Sequence, residues 1–268
     1  MSMIVLHAIV PHSPLLAPAV GKEKRDALHS TLRAYVEIEE LLYTKGVETL
    51  VIISPHAASY PDAFSANIAP TYTGTLKTFG DHETSVQIQS DVALLDELQH
   101  QLRNTDTIPF TLSTNTELDY GYTIPLLLLT KHLKQVKLVP LAQSQLDPQT
   151  HVEFGEQLRE VLEDTNKRIA VLASADLSHR LSAHSPTGTN VEGPAFDATI
   201  RAKLKSMDVN GLLAMDKDAV EAAGQCGYLP IMMLAGLLKG KRLNYKELCY
   251  EAPFGVGYLT AVFEPKRD

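Results

Sequence analysis

Ile4-Val5-Leu6-His7-Ala8-Ile9-Val10-Pro11-His12-Ser13 is the stretch on which the fold turns. An apolar, β-prone run reads as a strand; it stops at a proline, and a histidine stands just beyond. The arrangement returns twice, in Ile53-Ser54-Pro55-His56 and in Ala175-Asp176-Leu177-Ser178-His179. In a sheet-based protein, ligands converge outside the carboxyl ends of strands. His12, His56 and His179 are therefore placed to meet in one cleft although they are far apart in the chain.

Outward from this stretch, apolar and β-branched runs recur at Thr49–Ser54, Val136–Leu141 and Arg168–Ser174, and segments of helical period lie between them. Lys22–Lys45 carries Leu28, Leu32, Tyr35, Ile38, Leu41 and Leu42 at three- and four-residue spacing and ends at Lys45-Gly46, a C-cap signal. Similar spacing predicts helices over Ser85–Arg103, Gly121–Leu133, His151–Asp164, Pro194–Met207 and Tyr228–Leu238. Arg242–Cys249 and Gly255–Phe263 read as a strand pair. Alternation of this kind predicts an α/β fold. We expect a single three-layer domain over residues 1–268, with a central mostly parallel or mixed sheet flanked by helices. No repeat or linker divides the chain. Leu181–Gly193, directly after His179, is unpatterned and long enough to be a binding element or lid.

The chain has 268 residues, 44% hydrophobic and 21% charged, a balance that excludes a disordered polymer. Net charge is -8 and the densest basic cluster is Lys22-Glu23-Lys24-Arg25, so nucleic acid is excluded as a partner and a small molecule is expected. Met1–His7 lacks the basic region of a signal peptide, and no apolar stretch approaches the roughly 18 to 20 residues of a membrane span. Two cysteines, Cys226 and Cys249, do not make a disulfide framework, which favours a cytoplasmic setting with free thiols. The sequence leaves a homo-oligomer open.

Neutral imidazoles bind zinc, copper or iron, and a site with three protein ligands keeps positions for water, oxygen or substrate. Beside the strand-end histidines, Cys226 in Gly224-Gln225-Cys226-Gly227-Tyr228 is a candidate soft ligand, its thiolate aided by the start of the helix that follows. The same cysteine also fits a buried, inert turn. His29, His100, His132 and His151 fit helix surfaces and receive no role. Ser174, Asp176 and His179 are the residue types of a nucleophilic triad, yet no Gly-x-Ser-x-Gly elbow exposes a serine. Phosphate-binding glycine loops are absent. Gly80-Asp81-His82-Glu83 reads as a helix N-terminus capped by Asp81 or Thr84.

Five motifs, in order and spanning nearly the whole chain, resemble the class III extradiol ring-cleaving dioxygenases of the catalytic-subunit, LigB type. They are Pro11-His12-Ser13-Pro14, Ser54-Pro55-His56, Leu118-Asp119-Tyr120-Gly121 before Ile124-Pro125-Leu126, Ser174-Ala175-Asp176-Leu177-Ser178-His179, and Gly255-Val256-Gly257-Tyr258. Cys226-Gly227-Tyr228-Leu229-Pro230-Ile231 more closely resembles the related Memo proteins, which share that fold. The resemblance implies a metal at the strand ends, Fe(II) in the dioxygenases, where O2 is incorporated into a catechol. His12 and His56 match the metal histidines and His179 the acid/base histidine, with Asp176 and Ser178 beside it to orient the ring. Two departures follow. Cys226 stands where the dioxygenases place a carboxylate, shifting preference towards zinc or copper. Tyr120 stands where they commonly carry a second acid/base histidine, and a phenol is a poor base at neutral pH. The sequence thus predicts a metal-dependent oxidoreductase using O2 on a small aromatic substrate, against two alternatives: a Memo-like metal-binding protein without ring cleavage, and a metal-assisted hydrolase.

Overall fold

The apolar runs lie side by side as the parallel centre of one sheet. The computed structural model describes residues 3–103, 108–133 and 135–266. Its strands are β1 (Ile4–Val10), β2 (Thr49–Ser54), β3 (Phe64–Asn67), β4 (Thr71–Leu76), β5 (Asp81–Gln89), β6 (Phe110–Ser113), β7 (Glu117–Leu118), β8 (Lys137–Ala142), β9 (Ile169–Ser174), β10 (Leu243–Glu251) and β11 (Tyr258–Pro265). The helices are α1 (Pro18–Gly21), α2 (His29–Thr44), α3 (Val92–Arg103), α4 (Tyr120–Leu129), α5 (Pro148–Glu163), α6 (Glu192–Ser206), α7 (Val209–Leu213), α8 (Lys217–Ala222) and α9 (Tyr228–Leu238). Eight strands form the main sheet in the order β10-β11-β1-β9-β2-β8-β3-β6, and β5-β4-β7 form a small second sheet.

Within the main sheet β1, β9, β2 and β8 run parallel, so their carboxyl ends share one edge. β11 joins β1 antiparallel and β3 joins β8 antiparallel, which makes the sheet mixed. Successive side chains of a strand point to opposite faces. Val51, Ile53, Val139 and Val171 therefore pack against Phe154, Leu158 and Ile231 of α5 and α9. Leu50, Ile52, Leu138 and Leu172 pack against Tyr35, Ile38 and Leu126 of α2 and α4. Covering both faces is what makes the central strands uniformly apolar rather than alternating. The result is the expected α/β domain, a central sheet flanked by helices.

α5 and α9 approach so closely that glycine is needed on both. A Cβ on Gly155 would stand 2.1 Å from the Met233 carbonyl oxygen, and one on Gly236 would stand 2.0 Å from that of Val152. At the other end of α9, Gly227 lies against the residues that follow β9, where a Cβ would stand 2.7 Å from that of Ala175.

Several expected boundaries move. Lys22–Leu28 is a 3-10 segment, and α2 begins at His29. The helix expected over Ser85–Arg103 divides: residues through Gln89 belong to β5, and only Val92 onward is helical. The reason is local, since Ser85-Val86-Gln87-Ile88-Gln89 alternates with period two and pairs Val86 with Gly74 and Ile88 with Tyr72 of β4. Gly80 is left-handed at φ 82 and closes a turn, so Gly80–Glu83 is not a helix start, although Asp81 does accept from the Glu83 and Thr84 amides. α4 stops at Leu129. The short β3, β4, β6 and β7 and the helices α7 and α8 were not expected. His151, expected on a helix surface, is fully buried, edge-on to Phe64 at 4.8 Å.

Met1 and Ser2 of the N-terminal stretch lie outside the described residues. Among the described residues no helix is long and apolar enough to cross a membrane, and Cys226 and Cys249 are both free thiols.

Candidate metal site

β1 runs out at Val10, and its register with β9 places Val10 beside Ser174. Two residues on, the His12 amide donates to Asp176 Oδ1 at 2.8 Å, and its Nδ1 lies 2.9 Å from Ser174 Oγ. His56 leaves the end of β2 in the same way. Its amide donates to Ser54 Oγ at 3.2 Å, and the Ser54 hydroxyl donates to Asp119 Oδ1 at 2.8 Å. Asp119 is the N-cap of α4 and accepts from the Gly121 amide at 2.6 Å. Held at both strand ends, the imidazoles bring their Nε2 atoms to 3.1 Å from one another.

Cys226 arrives from the turn before α9, with Sγ 3.3 Å from His12 Nε2. Gly227 makes this approach possible, because a Cβ there would stand 2.6 Å from the Asp176 carbonyl oxygen. The ligand atoms of His12, His56 and Cys226 all lie within 4.8 Å of one another. Two imidazole nitrogens and a thiol at that spacing are a donor set for a borderline or soft divalent cation. The donors present thus fit a metal.

Three further residues border this cluster. His179 Nε2 is 3.8 Å from Cys226 Sγ. Asp176 Oδ2 is 3.8 Å from His12 Nε2. Tyr120, the first residue of α4, stacks on His56 at 4.2 Å and meets His12 at 5.5 Å. The hydrogen bonds of Asp176 and Ser178 serve the backbone rather than the His179 ring. Asp176 takes the His12 amide, while Ser178 donates its hydroxyl to Ala223 O at 2.8 Å and its amide to Asp197 Oδ1 at 2.8 Å. Leu181–Gly193 is tied down by Ser185, whose hydroxyl donates to Gly255 O at 2.8 Å.

Burial dominates the electrostatics. His12 is 1% exposed, and desolvation lowers its pKa to about 3; desolvation, followed by the neighbouring His12 and His179, lowers His56 to about 3. Burial, with the Asp176 carboxylate adding to it, pushes the Cys226 thiol up. The rings are therefore neutral, the form in which imidazole nitrogen can ligate, while the thiol keeps its proton until a cation's own charge offsets the cost of a buried thiolate. Burial raises Asp176 and Asp119 to about 6 each. Burial also raises the Tyr120 phenol, with Cys226 and Asp176 contributing, so it stays protonated and keeps a proton to donate.

Phe79, Asp197 and the hydroxyl of Ser54 have parts in this architecture that the sequence reading did not assign. Phe79 is 38% exposed and edge-on to Tyr120 at 5.2 Å, extending the aromatic wall outward. Asp197 holds the Ser178 amide beneath His179 and accepts from the Tyr250 hydroxyl at 2.7 Å. Its signal was present: an acid in line with Phe196, Ile200 and Leu204 on the buried side of a helix.

The family model described as the catalytic LigB subunit of aromatic ring-opening dioxygenase matches residues 6–263. The chain belongs to the LigB family. Among its relatives, Protein CA_C1420 of Clostridium acetobutylicum is 30% identical over 259 residues; the match covers 93% of this chain but 55% of the relative, so the LigB-family chain spans about half of that protein. A MEMO1 family protein of Methanosarcina acetivorans is 25% identical over 81% of this chain and 76% of its own length. Another, from Methanocaldococcus jannaschii, is 24% identical over 93% of this chain and 83% of its own. An uncharacterized protein of Escherichia coli K12 has the same fold, with a TM-score of 0.63 at 15% identity, covering 96% of this chain and 99% of that one.

Proposed function

We propose that this LigB-family chain is a metal-dependent oxidoreductase that holds a divalent cation through His12, His56 and Cys226 and uses O2 on a catechol-like or other small aromatic substrate. The observation that carries the reading is the convergence of two imidazole nitrogens and a thiol within 4.8 Å of one another at the strand ends. A cation held there would supply a Lewis-acidic, redox-active centre with positions left for substrate and O2. Around it the side chains divide the work. Tyr120 and Phe79 offer ring faces and edges to a planar substrate. The Tyr120 hydroxyl, kept protonated by burial, donates to a substrate oxygen. His179, with Nε2 3.8 Å from Cys226 Sγ, takes or returns the substrate's hydroxyl proton.

A second reading rests on Cys226 itself. Thiolate is a softer ligand than carboxylate and favours zinc or copper over Fe(II), which supports a Memo-like metal-binding role without ring opening. One pair of experiments separates the two. After anaerobic reconstitution with Fe(II), exposure to O2 and a catechol panel is expected to yield a coloured ring-opened product. Bound metal with no product from any catechol would leave the Memo-like reading. Cys226→Ser is expected to weaken metal binding on the order of tenfold or more, and Cys226→Glu to move preference towards Fe(II). Undiminished affinity in Cys226→Ser would remove the cysteine from the ligand set.

A further inference from the structure

In an α-helix each carbonyl accepts from the amide four residues on. For Gly121 in α4 that residue is Pro125, which has no N–H. The Gly121 carbonyl therefore needs another donor, and the Ser174 hydroxyl supplies it at 2.6 Å. A serine hydroxyl has a single proton. With that proton committed to Gly121, Ser174 Oγ meets His12 Nδ1, 2.9 Å away, as an acceptor. His12 must then carry its proton on Nδ1, which leaves Nε2 with a bare lone pair facing His56 and Cys226.

We propose that Pro125, Gly121 and Ser174 form a positioning relay that selects the Nδ1–H tautomer of His12, the form whose Nε2 can bind a cation. The inference rests on the metal site proposed above and names residues that the donor set alone does not reveal. The relay has a second arm on the same residue. The Gly121 amide donates to Asp119 Oδ1, which also receives the Ser54 hydroxyl, and Ser54 Oγ accepts from the His56 amide. One glycine thus ties both imidazole-bearing loops to the first turn of α4. A larger residue there would displace this arm, since a Cβ on Gly121 would stand 2.3 Å from Ser54 Oγ.

Pro125 is the unusual member, because it acts by withholding a hydrogen bond. Pro125→Ala returns the missing amide to α4, frees the Ser174 hydroxyl to donate to His12, and so is expected to scramble the tautomer without loosening the helix. The test begins with long-range 15N–1H correlation spectra of the metal-free protein, with His12 assigned by the signals lost in His12→Gln. A protonated Nδ1 and a bare Nε2 are expected; protonated Nε2 overturns the relay. Ser174→Ala and Pro125→Ala are each expected to lose the single tautomer and to bind Co(II) about 10- to 100-fold more weakly, with a melting temperature at or above the parent's for Pro125→Ala. Retention of the parent tautomer in either variant overturns the relay. A parent that binds no Co(II) would end the metal reading, while the tautomer spectra would still decide the relay.

Discussion

Above pH 6 the Asp197 carboxylate is an anion in a place that favours the acid. It is 1% exposed, and burial raises its pKa to about 6 against the pull of the Ser178 amide and the Tyr250 hydroxyl. The unfolded chain loses this proton near pH 4, so between about pH 4 and 6 the native state binds more protons. Stability accordingly falls as pH rises through that window, by on the order of 2 to 3 kcal/mol. Asp197→Asn keeps an acceptor for Ser178 and has no charge to bury. Its melting temperature is expected to exceed the parent's at pH 8 and to match it near pH 4; superimposable curves at both pH values would refute this. In sequence such a residue is visible as an acid on a helix's buried side, but its partner is not. His12, His56 and Cys226 stand at the ends of elements, where a strand or helix signal points at them. Ser174 and Asp197 act through neighbours, Gly121 and Ser178, that only the fold brings near.

Among the elements, α5 and α9 pack with their backbones in close approach, and α9 leads to a candidate ligand. Their backbones meet at Gly155 and Gly236, and α9 carries Cys226 just ahead of its first residue. Gly155→Ala must push the helices apart or bend one, an overpacking cost of about 1 to 3 kcal/mol. A urea titration is expected to show a lower midpoint at unchanged slope, and Co(II) affinity is expected to fall in parallel as Cys226 moves from His12. Unaltered affinity alongside lost stability would show that α9 does not set the position of Cys226. Legibility at this scale followed length and burial. β1, β2 and α9 are legible to the residue because each is largely apolar with a sharp end. The end of β5 falls inside the expected helix because Val92, Leu95, Leu98 and Leu102 carry a true helical spacing just after it, and the competing period-two pattern covers only Ser85–Gln89. β3 and β6, four residues each, are too short to announce themselves.

For the molecule as a whole, acid is the expected weakness, and His7 is one clear source. It sits in β1 at 4% exposure, and burial lowers its pKa to about 3 against the opposing pull of the Phe263 backbone. The unfolded chain takes up this proton near pH 6.5, so between 6.5 and 3 the unfolded state binds more protons and stability falls as pH falls. The full effect of one such group is on the order of 4 kcal/mol. His7→Leu is expected to lose less stability than the parent between pH 7 and pH 4, measured by chemical denaturation at each pH. An equal loss in both proteins would assign the acid sensitivity elsewhere.

The three candidate ligands stand at positions 12, 56 and 226 of a 268-residue chain. During synthesis both imidazoles leave the ribosome long before the thiol is made, so an incomplete polypeptide offers at most a two-nitrogen grip on any cation. Loading with all three donors therefore waits until Cys226 has been made, and a tightly held metal would report that the chain had closed from β1 to the turn before α9.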